Sequence, residues 1–193
     1  TRFRVIATEI SRRGSANSAV HLPATGQVRA SNEGSAFIRP GLIEEYTVSS
    51  DGVRQDFVVL QKPVGSGALN VQLGVAGAQA EASAYGVKLT VSSTSREIAY
   101  SRLKVTDAAG TELTARMQVD AADRLSVVVD DDKAVYPIRI DPTFSDADWI
   151  SMGGIIGTGG LNGFVYAAVV DESGSLYIGG DFTIAGTVLA KNI

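Results

Sequence analysis

The sequence predicts an all-β fold, an antiparallel sandwich of the jelly-roll or immunoglobulin-like kind. Three observations carry that expectation. Apolar residues recur with a period of two rather than 3.6, which lines one face of a sheet with apolar side chains and the other with polar ones. No window of a dozen residues keeps the i, i+3, i+4, i+7 stripe of an amphipathic helix. Turn signals interrupt the apolar stretches at spacings of about 8–12 residues, as in sandwiches and barrels.

The elements follow in order. Residues 11–35 are rich in Ser, Ala, Gly and Asn and read as a long loop. Phe57-Val58-Val59-Leu60 is a continuous apolar run, the pattern of a strand covered on both faces. Leu69, Val71, Leu73 and Val75 alternate with Asn70, Gln72 and Gly74. Residues 76–84 are small and polar, a loop or a weak edge strand. Val87, Leu89 and Val91 alternate again, as do Met117 with Val119, and Leu125 and Val127 with Val129. Ile138 and Ile140 flank Arg139. Ser50-Asp51-Gly52, Asp107 to Gly110, Asp130 to Lys133 and Asp171 to Gly174 supply the turns. There Asp bonds its own backbone and Gly takes the positive φ that hairpins need. A composition shift at 143–148 marks a boundary: a domain over 1–143, a short acidic linker over 144–148, and a glycine-rich segment over 149–193.

Composition excludes several classes. The 193 residues are 45% hydrophobic and 20% charged with net charge −4, so the chain can build a core and disorder is not expected. Seventeen basic residues against 21 acidic ones leave no electrostatic footprint for nucleic acid. No apolar run is long enough to span a membrane as a helix. Without cysteine there is no disulfide, thiolate metal site, iron–sulfur cluster or cysteine nucleophile. Thr1-Arg-Phe-Arg-Val lacks the apolar core of a signal sequence. The expectation is a signal already removed or a start inside a longer chain.

Two segments resemble known families. Gly41-Leu-Ile-Glu-Glu-Tyr46, Asp51 to Phe57, Ile98 to Leu103, Asp107 to Gly110 and Val129 to Thr143 carry the first resemblance. Together they look like a β-sandwich domain of large secreted or surface bacterial proteins, where it precedes arrays of repeats. The ending Tyr136-Pro-Ile-Arg-Ile-Asp-Pro-Thr143 is its most specific mark, and no catalytic residues come with it. Trp149-Ile-Ser-Met-Gly-Gly154 and Gly163 to Gly186 are similar to one repeat of the propeller-like arrays of bacterial surface proteins and of the fungal cortical polarity-marker family. That second resemblance implies a partial blade over 149–193. A lone blade cannot bury both faces, so it also implies that the natural chain continues beyond Ile193.

Candidate chemistry is sparse. Asp130, Asp131 and Asp132 are the candidate calcium ligands, with Asp141, Asp146 or Asp148 as further oxygen donors, since calcium takes about six to eight oxygens. No calcium-binding loop pattern accompanies them, and a solvated hairpin turn is the competing reading. Asp146, Asp148, Asp171 and Asp181 form a dispersed acidic set suited to turns and linkers. His21, the only histidine, sits in a loop-like stretch without an evident partner. Gly157 to Asn162 approaches a nucleotide fingerprint, but a strand follows where a helix is required. Glu44 and Glu45, adjacent on a strand, point to opposite faces and do not converge as a carboxylate pair, alone or with Glu97. Tyr46, Tyr85, Tyr100 and Tyr136 adjoin apolar strand residues and are expected in the core. No catalytic residue and no cofactor other than calcium is expected.

These observations predict a non-enzymatic structural or assembly module of a secreted or cell-surface bacterial protein. Its expected partners are itself or downstream repeats of the same chain, with glycans or surface proteins as further partners. A carbohydrate-binding or adhesion module is the alternative. A non-catalytic domain of a secreted hydrolase is a more distant one. The architectural residues would be Tyr136, Pro137, Asp141 and Pro142 at the domain exit and Trp149 at the start of the next unit.

Overall fold

Alternating and β-branched sequences form strands here as expected, and among the described residues there is no helix. The computed structural model of the chain describes residues 3–49, 52–146, 163–170, 176–185 and 188–189. The chain falls into two compact units, Thr1–Asp148 and Trp149–Ile193.

The first unit is a two-sheet antiparallel β-sandwich. Its strands are β1 (Arg4–Arg12), β2 (Ser15–His21), β3 (Gln27–Ala30), β4 (Ser35–Arg39), β5 (Leu42–Ser49), β6 (Gly52–Val59) and β7 (Leu69–Ala76). There follow β8 (Ala78–Ser83), β9 (Gly86–Val91), β10 (Glu97–Thr106), β11 (Ala115–Ala121), β12 (Arg124–Val129) and β13 (Ile138–Asp146). One sheet has five strands in the order β11-β12-β7-β1-β2, and the other has eight in the order β3-β4-β5-β6-β13-β10-β9-β8. The chain changes sheet between β7 and β8 at Gly77, whose φ of 75° permits the sharp turn.

The core lies between the sheets. Val71 and Leu73 of β7 and Leu125 and Val127 of β12 are fully buried against Phe57 of β6, Leu89 of β9, Tyr100 of β10 and Ile138 and Ile140 of β13. These are the inward positions of the alternation. Burying each large side chain stabilises the fold by roughly 1.5–3 kcal/mol relative to exposure.

Three sequence expectations change. Residues 11–35 are not one loop, because the end of β1, all of β2 and all of β3 lie there. β2 and β3 are the outer strands of their sheets, and an outer strand is held by backbone bonds on one side, without an alternating apolar face. Residues 144–146 of the expected linker belong to β13, where Phe144 and Ser145 pair with Tyr100 and Ala99 of β10. Tyr85, expected in the core, is 88% exposed at the turn between β8 and β9. Residues 76–84 do contain an edge strand, β8. The turns expected at Asp51 and Asp171 and the segment around Trp149 lie outside the described residues.

The second unit contains the antiparallel hairpin β14 (Phe164–Val170) and β15 (Leu176–Asp181), and the short pair β16 (Ile184–Ala185) and β17 (Val188–Leu189). Phe164 and Tyr166 are about three-quarters exposed, and Val165, Val169 and Tyr177 are also exposed.

Candidate functional site

The aspartate run at 130–132 divides between the interior and the surface. Asp131 turns inward and is buried, whereas Asp130 and Asp132 face solvent. Arg12 Nη1 donates to Asp131 Oδ1 at 2.5 Å, and the Leu69 N–H donates to the same oxygen at 3.2 Å. Tyr136 Oη donates to Asp131 Oδ2 at 2.6 Å. The Lys62 ammonium donates to the main-chain oxygens of Asp131 and Asp132 at 3.3 and 3.0 Å. Among the described residues no group of three or more carboxylate or histidine side chains is placed to hold a metal ion. Of the three candidate ligands, Asp131 is thus a buried carboxylate held by protein donors, and Asp130 and Asp132 are exposed. Burial works to raise the Asp131 pKa, but the hydrogen bonds from Arg12 and Tyr136 and the Arg12 charge outweigh it and hold it below the ordinary value. Arg12 Nε and Nη1 also donate to Pro63 O at 3.1 Å and Gly67 O at 3.0 Å, tying β1 to the segment before β7.

A second buried polar group lies between the sheets around Glu44. The Ala7 N–H (3.1 Å) and Arg39 Nη2 donate to its Oε1. Tyr46 Oη (2.8 Å) and Gln55 Nε2 (3.2 Å) donate to its Oε2. Tyr100 Oη donates to Gln55 Oε1 at 2.9 Å, and Arg39 Nη1 donates to Ala7 O at 2.7 Å. Burial raises the Glu44 pKa, against the pull of its donors, and burial lowers that of Arg39. Desolvation likewise pushes the Tyr100 hydroxyl well up. All four hydrogen bonds to the Glu44 carboxylate are made within the protein and the side chain is fully buried. The arrangement fixes β4, β5 and β6 against β1; it offers no open position to a substrate. Glu44 and Glu45 do point to opposite faces: Glu45 pairs with Arg139 at 2.6 Å on the outside of the eight-stranded sheet.

Arg12, Arg39 and Gln55 were invisible as functional candidates, although two signals were present. Glu44 falls in phase with the inward residues Leu42 and Tyr46, and Gln55 falls in phase with Phe57 and Val59. A polar residue at an inward position of an alternating strand must find partners, because leaving it unpaired costs about 1–3 kcal/mol or more. Arg12 and Asp131, 119 residues apart, have no such local signal.

A cleft of about 450 Å³ opens between β1, β5, β6, β10 and β13. Phe3, Tyr46, Ile98 and Phe144 line it together with Arg4 and Arg96, and among the described residues no carboxylate or histidine does. Phe144 meets Phe3 edge-on at 5.7 Å and stacks on Tyr100 at 4.2 Å. His21 is exposed, with Nδ1 3.3 Å from Glu9 Oε2. Glu97 pairs with Lys88 at 2.9 Å on a β8–β9–β10 charge ladder completed by Glu81. Asp181 ends β15 in an exposed position; Asp148, Asp171 and residues 157–162 lie outside the described residues, as does the side chain of Asp146. Comparison of the chain with protein-family models, with curated proteins and with solved structures finds no match.

Proposed function

We propose that this chain is a non-enzymatic structural and assembly module of a secreted or cell-surface bacterial protein. In this reading the sandwich is a rigid body and the second unit is the assembling part. The observation that carries it is the β14–β15 hairpin. Phe164, Tyr166, Val169 and Tyr177 are exposed on a sheet that, among the described residues, has two strands. Isolated two-stranded hairpins are marginal in water, and both their edges offer unpaired backbone groups. Further strands added at an edge bury those rings and satisfy those groups. The hydrogen bonds that the Glu44 and Asp131 carboxylates accept from within the protein support a structural use of the charged residues in the sandwich. The secreted or surface setting rests on the resemblances given above.

The test is the mass of the chain in solution by light scattering, beside that of Tyr166→Lys and of a chain ending at residue 148. Association of the wild type that Tyr166→Lys abolishes, with the truncated chain folded and monomeric, supports the assembly function. A monomer at all concentrations, or association that survives in the truncated chain, overturns it.

The same three rings, Phe164, Tyr166 and Tyr177, favour a second reading as an aromatic platform for sugars. Binding in a glycan screen that Tyr166→Ala abolishes would select that reading.

A further inference from the structure

The outer face of the eight-stranded sheet holds an ionic group that neither the core nor the hairpin uses. The β6–β13 register pairs Ile140 with Phe57 and Thr143 with Arg54, without a shift between them. That register sets Asp141 directly opposite Asp56, two carboxyls facing each other across neighbouring strands. Like charges in that relation are destabilising. The surrounding groups do not treat the two alike. Arg139 Nη1 donates to Asp56 Oδ2, and so does Arg54 Nη2 at 3.0 Å. Asp56 Oδ1 is buried and takes no hydrogen bond from any of these donors. Asp141 has the edge of Arg54, with Nε 3.4 Å away, and feels the Arg139 charge more weakly.

On the neighbouring strands, Glu45 of β5 lies opposite Asp56 and is bound by Arg139. Lys104 of β10 lies opposite Asp141, but its ammonium is directed to Glu112 at 3.9 Å. Tyr100, whose hydroxyl is bonded on the core side to Gln55, senses both carboxyls.

We propose that Asp56 and Asp141 share one proton across the β6–β13 pairing, with the Asp141 carboxyl donating to Asp56 Oδ1, and that this proton makes β13 a pH-sensitive clasp. A proton placed there satisfies Asp56 Oδ1 and removes the like-charge contact in a single bond. Burial, and then the Asp56 charge, push the Asp141 pKa up to about 6, in keeping with that bond. The next residue, Pro142, has no N–H for the ladder, so side-chain bonding counts for more at this point of the strand. β13 is the strand by which the chain leaves the sandwich. Losing the proton as pH rises through about 6 weakens its hold on β6.

The sign is fixed by linkage. The folded-state pKa lies above the ordinary value of 3.8, so the contribution is complete below 3.8 and is lost as pH rises through about 6.

The experiment uses the whole chain with His21→Gln in every sample, so that the pH profile contains no imidazole. The wild type is compared with Asp141→Asn, whose amide keeps a donor for Asp56 at all pH values. The melting midpoint of the parent should fall by about 3–6 °C between pH 5 and 7.5, and that of Asp141→Asn should stay flat. In the parent, the Asp141 carboxyl carbon should titrate by NMR with a midpoint near 6, and in Asp56→Asn that midpoint should drop toward the ordinary aspartate range. A parent Asp141 that titrates near 3.8 overturns the proposal whether or not the variants fold, as does an unchanged pH profile in Asp141→Asn.

Discussion

Replacing Asp131 by alanine separates the structural reading of this carboxylate from the calcium reading in one step. The side chain is buried, and three donors depend on it: the Arg12 guanidinium at 2.5 Å, the Tyr136 hydroxyl at 2.6 Å and the Leu69 N–H at 3.2 Å. Its loss leaves the Arg12 charge nearly inaccessible to solvent and without its counter-ion, and Arg12 Nη2 already has no hydrogen-bond partner. Breaking a buried pair by removing one partner costs about 3–5 kcal/mol. Against a total stability of about 5–15 kcal/mol for a domain, that is about a fifth of the whole at the least. At about 2–4 °C per kcal/mol for a domain of this size, the melting midpoint drops by roughly 6–20 °C. Asp131→Asn should lose about half as much, because the amide oxygen still accepts from Leu69 while the charge is gone.

The assay is thermal or urea unfolding followed by circular dichroism, repeated with calcium and with chelator. A calcium site would raise stability by about 2.7 kcal/mol at one hundred times its dissociation constant. The structure predicts no change with calcium in either protein. A loss below about 1 kcal/mol in Asp131→Ala would refute the ion-pair account. So would a calcium-dependent midpoint in the wild type that the variant abolishes.

Two other predictions follow from the same packing. Tyr100→Phe removes the donor to Gln55 Oε1 inside the core and should cost about 1–3 kcal/mol in urea unfolding with little change in the native spectrum. At low pH the limiting groups are Asp107 and Asp131, both held below the ordinary value of 3.8. Asp107 is held there by backbone N–H donors from Val135, Thr111 and Ala109, and Asp131 as described above. Their contribution is present above 3.8 and is lost as pH falls through the lower folded values, so the melting midpoint should decline below about pH 4. Asp107→Asn should flatten that acid limb; an unaltered limb would remove Asp107 from the account.

The alternation of Leu69 to Val75, Leu125 to Val129 and Ile138 to Ile140 was enough to establish strands, their inward faces and an all-β sandwich. That information is local: a period of two in hydrophobicity is a property of each segment alone. The same period of two puts Glu44 and Glu45 on opposite faces of β5. Edge strands escaped because β2 and β3 are selected by backbone pairing at the rim, which imposes no apolar pattern on Ser15–His21 or Gln27–Ala30. Tyr85 was misplaced for a related reason, since an aromatic ring beside an apolar strand can cap a turn in solvent as readily as it fills a core.

Long-range partnership was not written in any one segment. Asp131 reads locally as one of three turn aspartates, and only the approach of β1 makes it the counter-ion of Arg12. Asp141 reads as part of a strand ending, and only the register of β13 on β6 sets it against Asp56. Sequence determined which residues prefer strand and which face each would bury, because sterics and hydrophobicity act over a few residues. Tertiary structure alone decided which buried charges meet. The energy of a buried charge depends on what surrounds it, and those surroundings come from strands far away in the chain.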